Sequence, residues 1–260
     1  MPKELDGKVA LITGSTQGLG AAIARRFVAE GGQVVISGRT REHGEAIAAE
    51  LGAAAIYHRT DLAKVDDCRA VVQAALRAFG GIDVVVNSAA TTARATLESF
   101  TPELFDRQFA INVRGPLLVI QSALPSLRER GGTVINIGSV NAYVGGSNLL
   151  VYSATKGALM TASRNMANAL LSPRVRVFCL NVGWMDSEGE RAVLAEEGLP
   201  PDFIEREGKK LPIGRLLDPG EVAEVCVFLA SPRSQAFSGA VIDLEQFPLG
   251  ALSYPTTPRA

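Results

Sequence analysis

Two histidines and three cysteines are nearly all that 260 residues provide of the side chains that bind soft metals or act as nucleophile–base pairs. His43 and His58 have no H-x-x-x-H spacing, which argues against a histidine metal centre or a histidine-based triad. Cys68, Cys179 and Cys226 lie far apart in apolar surroundings. They read as small buried hydrophobes in a reducing compartment, not as a disulfide framework or a zinc site. A dominant sign of charge is missing too. With 26 basic and 27 acidic residues the net charge is −1, so no global field draws in nucleic acid or an anionic membrane. No apolar run approaches the length of a membrane span, and the opening "MPKELDGK" is charged where a signal peptide would be apolar. No repeat, low-complexity tract or linker interrupts the chain. The expectation is a single-domain, cytoplasmic protein with neither nucleic-acid nor membrane partners.

What is present is a strong alternation. Short β-branched runs at 8–13, 33–37, 53–58, 82–87, 132–137, 174–181 and 240–244 are separated by Ala/Leu-rich stretches at helical period. Those stretches cover 18–31, 41–51, 64–79, 102–130, 151–171 and 219–230. The strand runs are continuously apolar, as strands are when both faces of a parallel sheet are covered. Right-handed βαβ units then build a doubly wound, mostly parallel seven-stranded α/β sheet in one domain over 1–260. Thr101-Pro102 and Asp218-Pro219 each place a capping residue before a proline, and Glu221 completes a capping box. The charged, Gly/Pro-broken segment 186–213 reads as a lid, and 246–260 as an irregular tail.

Three local patterns carry chemistry. "TGSTQGLG" (13–20) sits between the first strand and the first helix. Gly14 suits a tight turn, Gly18 a close approach of backbone to a pyrophosphate, and Gly20 close strand–helix packing. Three glycines in a plain turn are the alternative. After the second strand the sequence is "ISGRT": Gly38 stands where an acid for a ribose hydroxyl would be, with Arg39 beside it. An arginine there pairs with a 2′-phosphate, which favours NADP(H) over NAD(H); the alternative is one more solvated loop arginine. Finally, "VYSATKGALM" puts Tyr152 and Lys156 one helical turn apart among small residues. A surface pair is the bland explanation.

"TGSTQGLG", "NVRG", "GSV" and "YSATK" together, in this order, resemble the short-chain dehydrogenase/reductase family over about residues 5–245. The resemblance implies a three-layer Rossmann fold and hydride transfer between a nicotinamide cofactor and a secondary alcohol or ketone. By the same resemblance Tyr152 is the general acid/base. Lys156 lowers its pKa and holds the nicotinamide ribose, Ser139 orients the substrate oxygen, and Asn112 holds a water in the proton relay. A free phenol, with a pKa of about 10, needs such help near neutrality. The implied cofactor contacts are the Gly-turn residues Gly14, Ser15, Thr16, Gln17, Gly18, Leu19 and Gly20, together with Arg39, Asp61, Leu62 and Asn87. Tyr152, Lys156, Val182, Gly183, Trp184 and Ser187 complete them, the Ser187 hydroxyl holding the carboxamide.

Departures from the family pattern are Ser88 and Ala90 in "NSAA", Val182 for a proline, Ser187 for a threonine, and "VIDLEQFPLG" in place of a D-G-G ending. None touches the four catalytic positions. Arg94, Asn141, Tyr143, Leu149, Trp184 and Met185 are the expected substrate walls, with Arg94 either meeting an acidic substrate or lying in solvent. The competing functions are a catalytically silent cofactor-binding scaffold and an epimerase or dehydratase of the same fold. Helices 102–130 and 151–171 carry surplus apolar surface, so a homodimer or homotetramer through them is expected.

Overall fold

The computed structural model describes residues 3–247. It begins β1 (Val9–Thr13), α1 (Gly18–Ala29), β2 (Gln33–Gly38), α2 (Arg41–Leu51), β3 (Ala55–Arg59), α3 (Val65–Phe79) and β4 (Val84–Asn87). The second half runs α4 (Pro102–Phe109), α5 (Gly115–Arg130), β5 (Thr133–Ser139), α6 (Leu150–Ala169) and β6 (Arg176–Val182). It ends with α7 (Glu188–Glu196), α8 (Phe203–Gly208), α9 (Pro219–Ala230) and β7 (Val241–Leu244). The seven strands form one sheet in the order β3-β2-β1-β4-β5-β6-β7, and every pairing is parallel. The tail expected over 246–260 falls, past Phe247, outside the described residues.

The period-2 geometry of a strand explains why the apolar runs are unbroken. In β1, Ala10 and Ile12 point into one core and Leu11 into the other; in β4, Val84 and Val86 oppose Val85. One core packs under α1, α2 and α9, with Phe27, Ile47 and Cys226. The other packs under α3, α5 and α6, with Val72, Leu127 and Ala167. Burying both faces of Val85, Val86, Ile135 and Leu180, each 0 % exposed, stabilises the sheet by roughly 1.5–3 kcal/mol per side chain.

Two elements differ from the sequence pattern. The third strand starts at Ala55, because Gly52–Ala54 takes a 3₁₀ turn: three small residues without β-branching have nothing to hold them in the pleat. The long helix expected over 102–130 is divided by a π-helical turn at Ala110–Arg114, with Gly115 N–H reaching back five residues to Ala110. Pro116 has no N–H to give the carbonyl of Asn112, so a regular α-helix cannot run through this point. The turn packs beside α6.

The lid is more ordered than its composition suggests. Helices α7 and α8 enclose a small apolar core of Leu194, Ile204 and Leu216, with Trp184 and Phe203 edge-to-face against it. At the far end of the lid the expected capping box forms: Asp218 accepts from Gly220 N at 2.7 Å while Glu221 takes the Asp218 N–H at 2.9 Å. Strand order reverses between β1 and β4, and all strands point the same way. The loops at their carboxyl ends therefore open into a single crevice.

Candidate active site

That crevice is a cleft of about 890 Å³, running from the glycine turn after β1 to the lid. At its β1 end, Gly14 adopts φ +69° and lies so close to the β4 loop that a Cβ would sit 2.6 Å from the Ala89 Cα. A Cβ on Gly20 would sit 2.3 Å from the Gly14 carbonyl oxygen. These two glycines are steric necessities of the turn. The first turn of α1 is left open, because Gln17 at the N-cap makes no side-chain capping bond. Its amides and the positive end of the helix dipole remain free toward the cleft, an arrangement that suits a phosphate group.

Beyond this turn, Thr16, Ser37, Gly38, Arg39, Asp61 and Leu62 line the same wall. A Cβ on Gly38 would meet Thr16 side-chain atoms at 2.6–2.7 Å, so no acid fits there without displacing the threonine. Arg39 is exposed and has no ion-pair partner among the described residues. Ser37 Oγ is buried without a hydrogen-bond partner. An open helix start, a free cation and an orphaned hydroxyl along one wall fit a dinucleotide.

At the other end, Ser139 closes β5 while Tyr152 and Lys156 project from α6. Ser139 Oγ accepts from Asn141 N at 3.2 Å and from Asn141 Nδ2 at 3.3 Å, so Asn141 holds the serine in place. Lys156 is 3 % exposed; its Nζ donates to the Ile137 carbonyl at 2.8 Å and lies 5.6 Å from the Tyr152 ring centre. Burial lowers the ammonium pKa to about 8. Tyr152 differs from expectation: burial pushes its phenol above 10, Ser139 pulls it back, and the charge of Glu190 pushes it up again. The anticipated lowering by Lys156 is not a leading influence here. The ammonium is engaged by a backbone carbonyl, at some distance from the ring.

Asn112 has a structural part as well. Both donors of its side-chain amide are used within the fold: Nδ2 donates to Thr91 O and to Thr155 Oγ1 at 2.9 and 3.0 Å, while Oδ1 accepts from Thr91 N at 2.8 Å. It pins the loop after β4 against α6. Gln108, one turn earlier, fastens the same loop through Ala93 O at 2.9 Å.

Most of the expected site residues line the cleft: Gly14, Thr16, Gln17, Gly18, Leu19, Gly20, Arg39, Asp61, Leu62, Arg94, Asn141, Leu149, Val182, Gly183, Trp184, Met185 and Ser187 all do. Four do not. Ser15 is 0 % exposed, its hydroxyl bonded to Ile12 O and accepting from Ser37 N, so it ties the turn to β2. Asn87 faces the sheet interior and donates to Asn136 Oδ1 at 2.8 Å. Asn112 is buried behind Thr91, and Tyr143 stands 46 % exposed on the outer surface past the 3₁₀ turn Val140–Ala142. Ser187 Oγ caps α7 by accepting from Glu190 N at 3.2 Å.

Glu190 and Glu197, both on the lid, line the cleft without having been anticipated. The spacing Ser187-x-x-Glu190 is that of a capping box, and it is the one signal that pointed toward them. Only the serine half of that box forms.

Comparison with known proteins places the chain among oxidoreductases. A family model described as "Enoyl-(Acyl carrier protein) reductase" matches residues 14–245. The "Galactitol 2-dehydrogenase" of Agrobacterium fabrum is 37% identical over 240 residues, covering 88% of this chain and 93% of that protein. The crystal structure of L-sorbose reductase from Gluconobacter frateurii, complexed with NADPH and L-sorbose, superposes with a TM-score of 0.89 at 28% identity, covering 97% of this chain and 100% of that one. The 3-ketoacyl-(acyl-carrier-protein) reductase from Brucella melitensis, complexed with NADH, gives 0.83 at 34% identity, covering 92% and 97%.

Proposed function

The chain belongs to the short-chain dehydrogenase/reductase family, and from that premise we propose a division of labour for its alcohol–ketone oxidoreductase chemistry. The nicotinamide cofactor, when bound, supplies or accepts the hydride. Everything else falls to side chains of this chain. Tyr152 Oη gives its proton to the substrate oxygen as a carbonyl is reduced, and takes it back when an alcohol is oxidised. Ser139 Oγ, held by Asn141, donates a hydrogen bond to the same oxygen where negative charge develops. Lys156 supplies a positive charge beneath the tyrosine, and with a pKa of about 8 it is protonated at neutral pH. That charge has the sign needed to ease the phenol's ionisation against the burial that raises it. Asn112 anchors the β4 loop that borders the site.

The observation that carries this reading is the convergence of Ser139, Tyr152 and Lys156 on one end of a cleft whose other end is an uncapped helix N-terminus. Tyr152→Phe tests it. Turnover is expected to fall at least a thousandfold while dinucleotide affinity stays within about twofold, and undiminished turnover would remove Tyr152 from the mechanism. The same variant separates an enzyme from a silent scaffold, which has no turnover to lose.

NADP(H) is the proposed partner in preference to NAD(H), because Arg39 is unpaired beside a Gly38 that leaves no room for a repelling acid. Arg39→Ala should cut the ratio of kcat/KM for NADPH over NADH by about tenfold or more, the value of one charge-assisted contact. A wild-type preference for NADH would reverse the assignment. The proposed assembly is a homodimer or homotetramer through α4, α5 and α6. It is supported by Phe105, 40 % exposed and stacked on Phe109 at 4.5 Å between ring centres, and by Leu150, 42 % exposed. Light scattering that returned a monomer at micromolar concentration would count against it. Three free, buried cysteines support a reducing, cytoplasmic compartment.

A further inference from the structure

The lid end of the cleft carries charge that hydride transfer does not require. Arg94, on the loop after β4, places Nη2 3.5 Å from Glu190 Oε1 and Nε 2.8 Å from Glu197 Oε1. The second contact is close but misaligned. The buried Nε–H has no hydrogen-bond acceptor, so this donor is orphaned inside the cleft. Trp184 Nε1 donates to Glu190 Oε1 at 2.9 Å. Glu190 Oε2 and both carboxylate oxygens of Glu197 accept no hydrogen bond among the described residues.

Burying such groups is costly unless something pairs them. The side chains of Arg94, Glu190 and Glu197 are only 25%, 23% and 35% exposed, and withdrawing them from water is unfavourable when their hydrogen-bonding capacity stays unused. Glu190 also has a cheaper local alternative. At the third position of α7 its carboxylate could return to the Ser187 N–H and complete a capping box, as Glu221 does for α9. It turns into the cleft instead. Within this trio one cation and two anions leave a net charge of −1, with three carboxylate oxygens and one N–H still unused on the wall of the cleft that holds Tyr152.

We infer that Arg94, Glu190 and Glu197 form a hydroxyl-binding subsite, and that the substrate is a neutral polyhydroxylated molecule, a polyol or the corresponding ketose. This rests on the alcohol–ketone reading of the site and names its substrate class. A hydroxyl both donates and accepts, so neighbouring hydroxyls satisfy the free carboxylate oxygens and the orphaned Arg94 N–H together. A carboxylate-bearing substrate meets the surplus negative charge. A hydrocarbon chain displaces water from the three charged groups and offers nothing in return, the situation in which a site built for hydroxyls discriminates most strongly.

The experiment measures kcat/KM in the oxidising direction with NADP⁺ and NAD⁺ for three six-carbon probe sets: the hexitols galactitol, sorbitol and mannitol; 2-hexanol; and 3-hydroxyhexanoate. At least one hexitol is expected to exceed both other probes by a hundredfold or more. Glu190→Gln and Glu197→Gln are each expected to raise KM for that hexitol about tenfold more than they raise KM for 2-hexanol. If 2-hexanol matches or exceeds every hexitol, or 3-hydroxyhexanoate is preferred, the subsite is overturned while the alcohol–ketone chemistry stands. If protein that binds NADPH turns over none of the three sets, this inference and the role given to Tyr152 fall together. The substrate panel uses the unaltered chain, so a misfolded variant cannot rescue the idea.

Discussion

Replacing Lys156 by methionine should make stability depend on pH differently, and the size of that difference follows from the lysine's surroundings. Its ammonium is 3 % exposed, meets no carboxylate among the described residues, and has a pKa lowered from 10.5 to about 8. At 1.36 kcal/mol per pH unit, this corresponds to roughly 3 kcal/mol spent on keeping the group charged in the folded protein. Below pH 8 the amine is protonated in both folded and unfolded chains, and the penalty is complete. Between pH 8 and 10.5 the unfolded chain still binds the proton and the folded one has released it, so stability rises with pH. Lys156→Met lacks this dependence. It also leaves the Ile137 carbonyl without its 2.8 Å donor, a cost of about 1–3 kcal/mol that does not vary with pH. The wild-type stability minus that of the variant should therefore increase by about 2–3 kcal/mol from pH 7 to pH 10. Urea unfolding at the two pH values, without added cofactor and followed by circular dichroism, would show this as a differential midpoint change of about 1 M. Cysteine and tyrosine titrations common to both proteins cancel to first order. A difference that stays constant with pH, or shrinks, would refute the claim that this lysine is buried at the expense of stability.

Three other perturbations probe the scaffold. Gly20→Ala pushes a methyl carbon to 2.3 Å from the Gly14 carbonyl oxygen, so it should lower stability by at least ~2 kcal/mol and abolish dinucleotide binding, read by thermal shift with and without NADPH. Cys226, 0 % exposed with its thiol pushed up to about 12 by burial, should resist a thiol-specific chromogenic reagent until urea unfolds the protein; reaction at the rate of a free thiol would contradict its placement under α9. Asp218→Ala removes a cap bonded at 2.7 Å and should cost about 1 kcal/mol, lowering Tm by roughly 2–4 °C with turnover preserved.

Much of the site was legible because its parts are local. The glycine turn, the Tyr152–Lys156 pair on one helical face and the Asp218 cap each depend on residues within a few positions of one another, where spacing already implies geometry. The partners of Asn112 and Asn87 were hidden for the opposite reason. Whether an asparagine amide faces a cleft or is consumed by Thr91, Thr155 or Asn136 is decided by segments more than twenty residues away. The π-helical turn was half visible in Pro116, but the helix period running through it concealed the break. Glu190 illustrates the limit most clearly. Its spacing from Ser187 indicates a capping box, and the tertiary structure spends the carboxylate on Trp184 and Arg94 instead.

The sequence by itself determined the fold class, the direction of the strands and the family, because unbroken apolar runs and short-range motifs each admit few physical solutions. The tertiary structure alone decided which polar groups remain free. Hydrogen-bonding capacity is finite, and only the packed molecule shows which donors and acceptors have already been consumed and which, at Ser37, Arg94 and the lid glutamates, are still open.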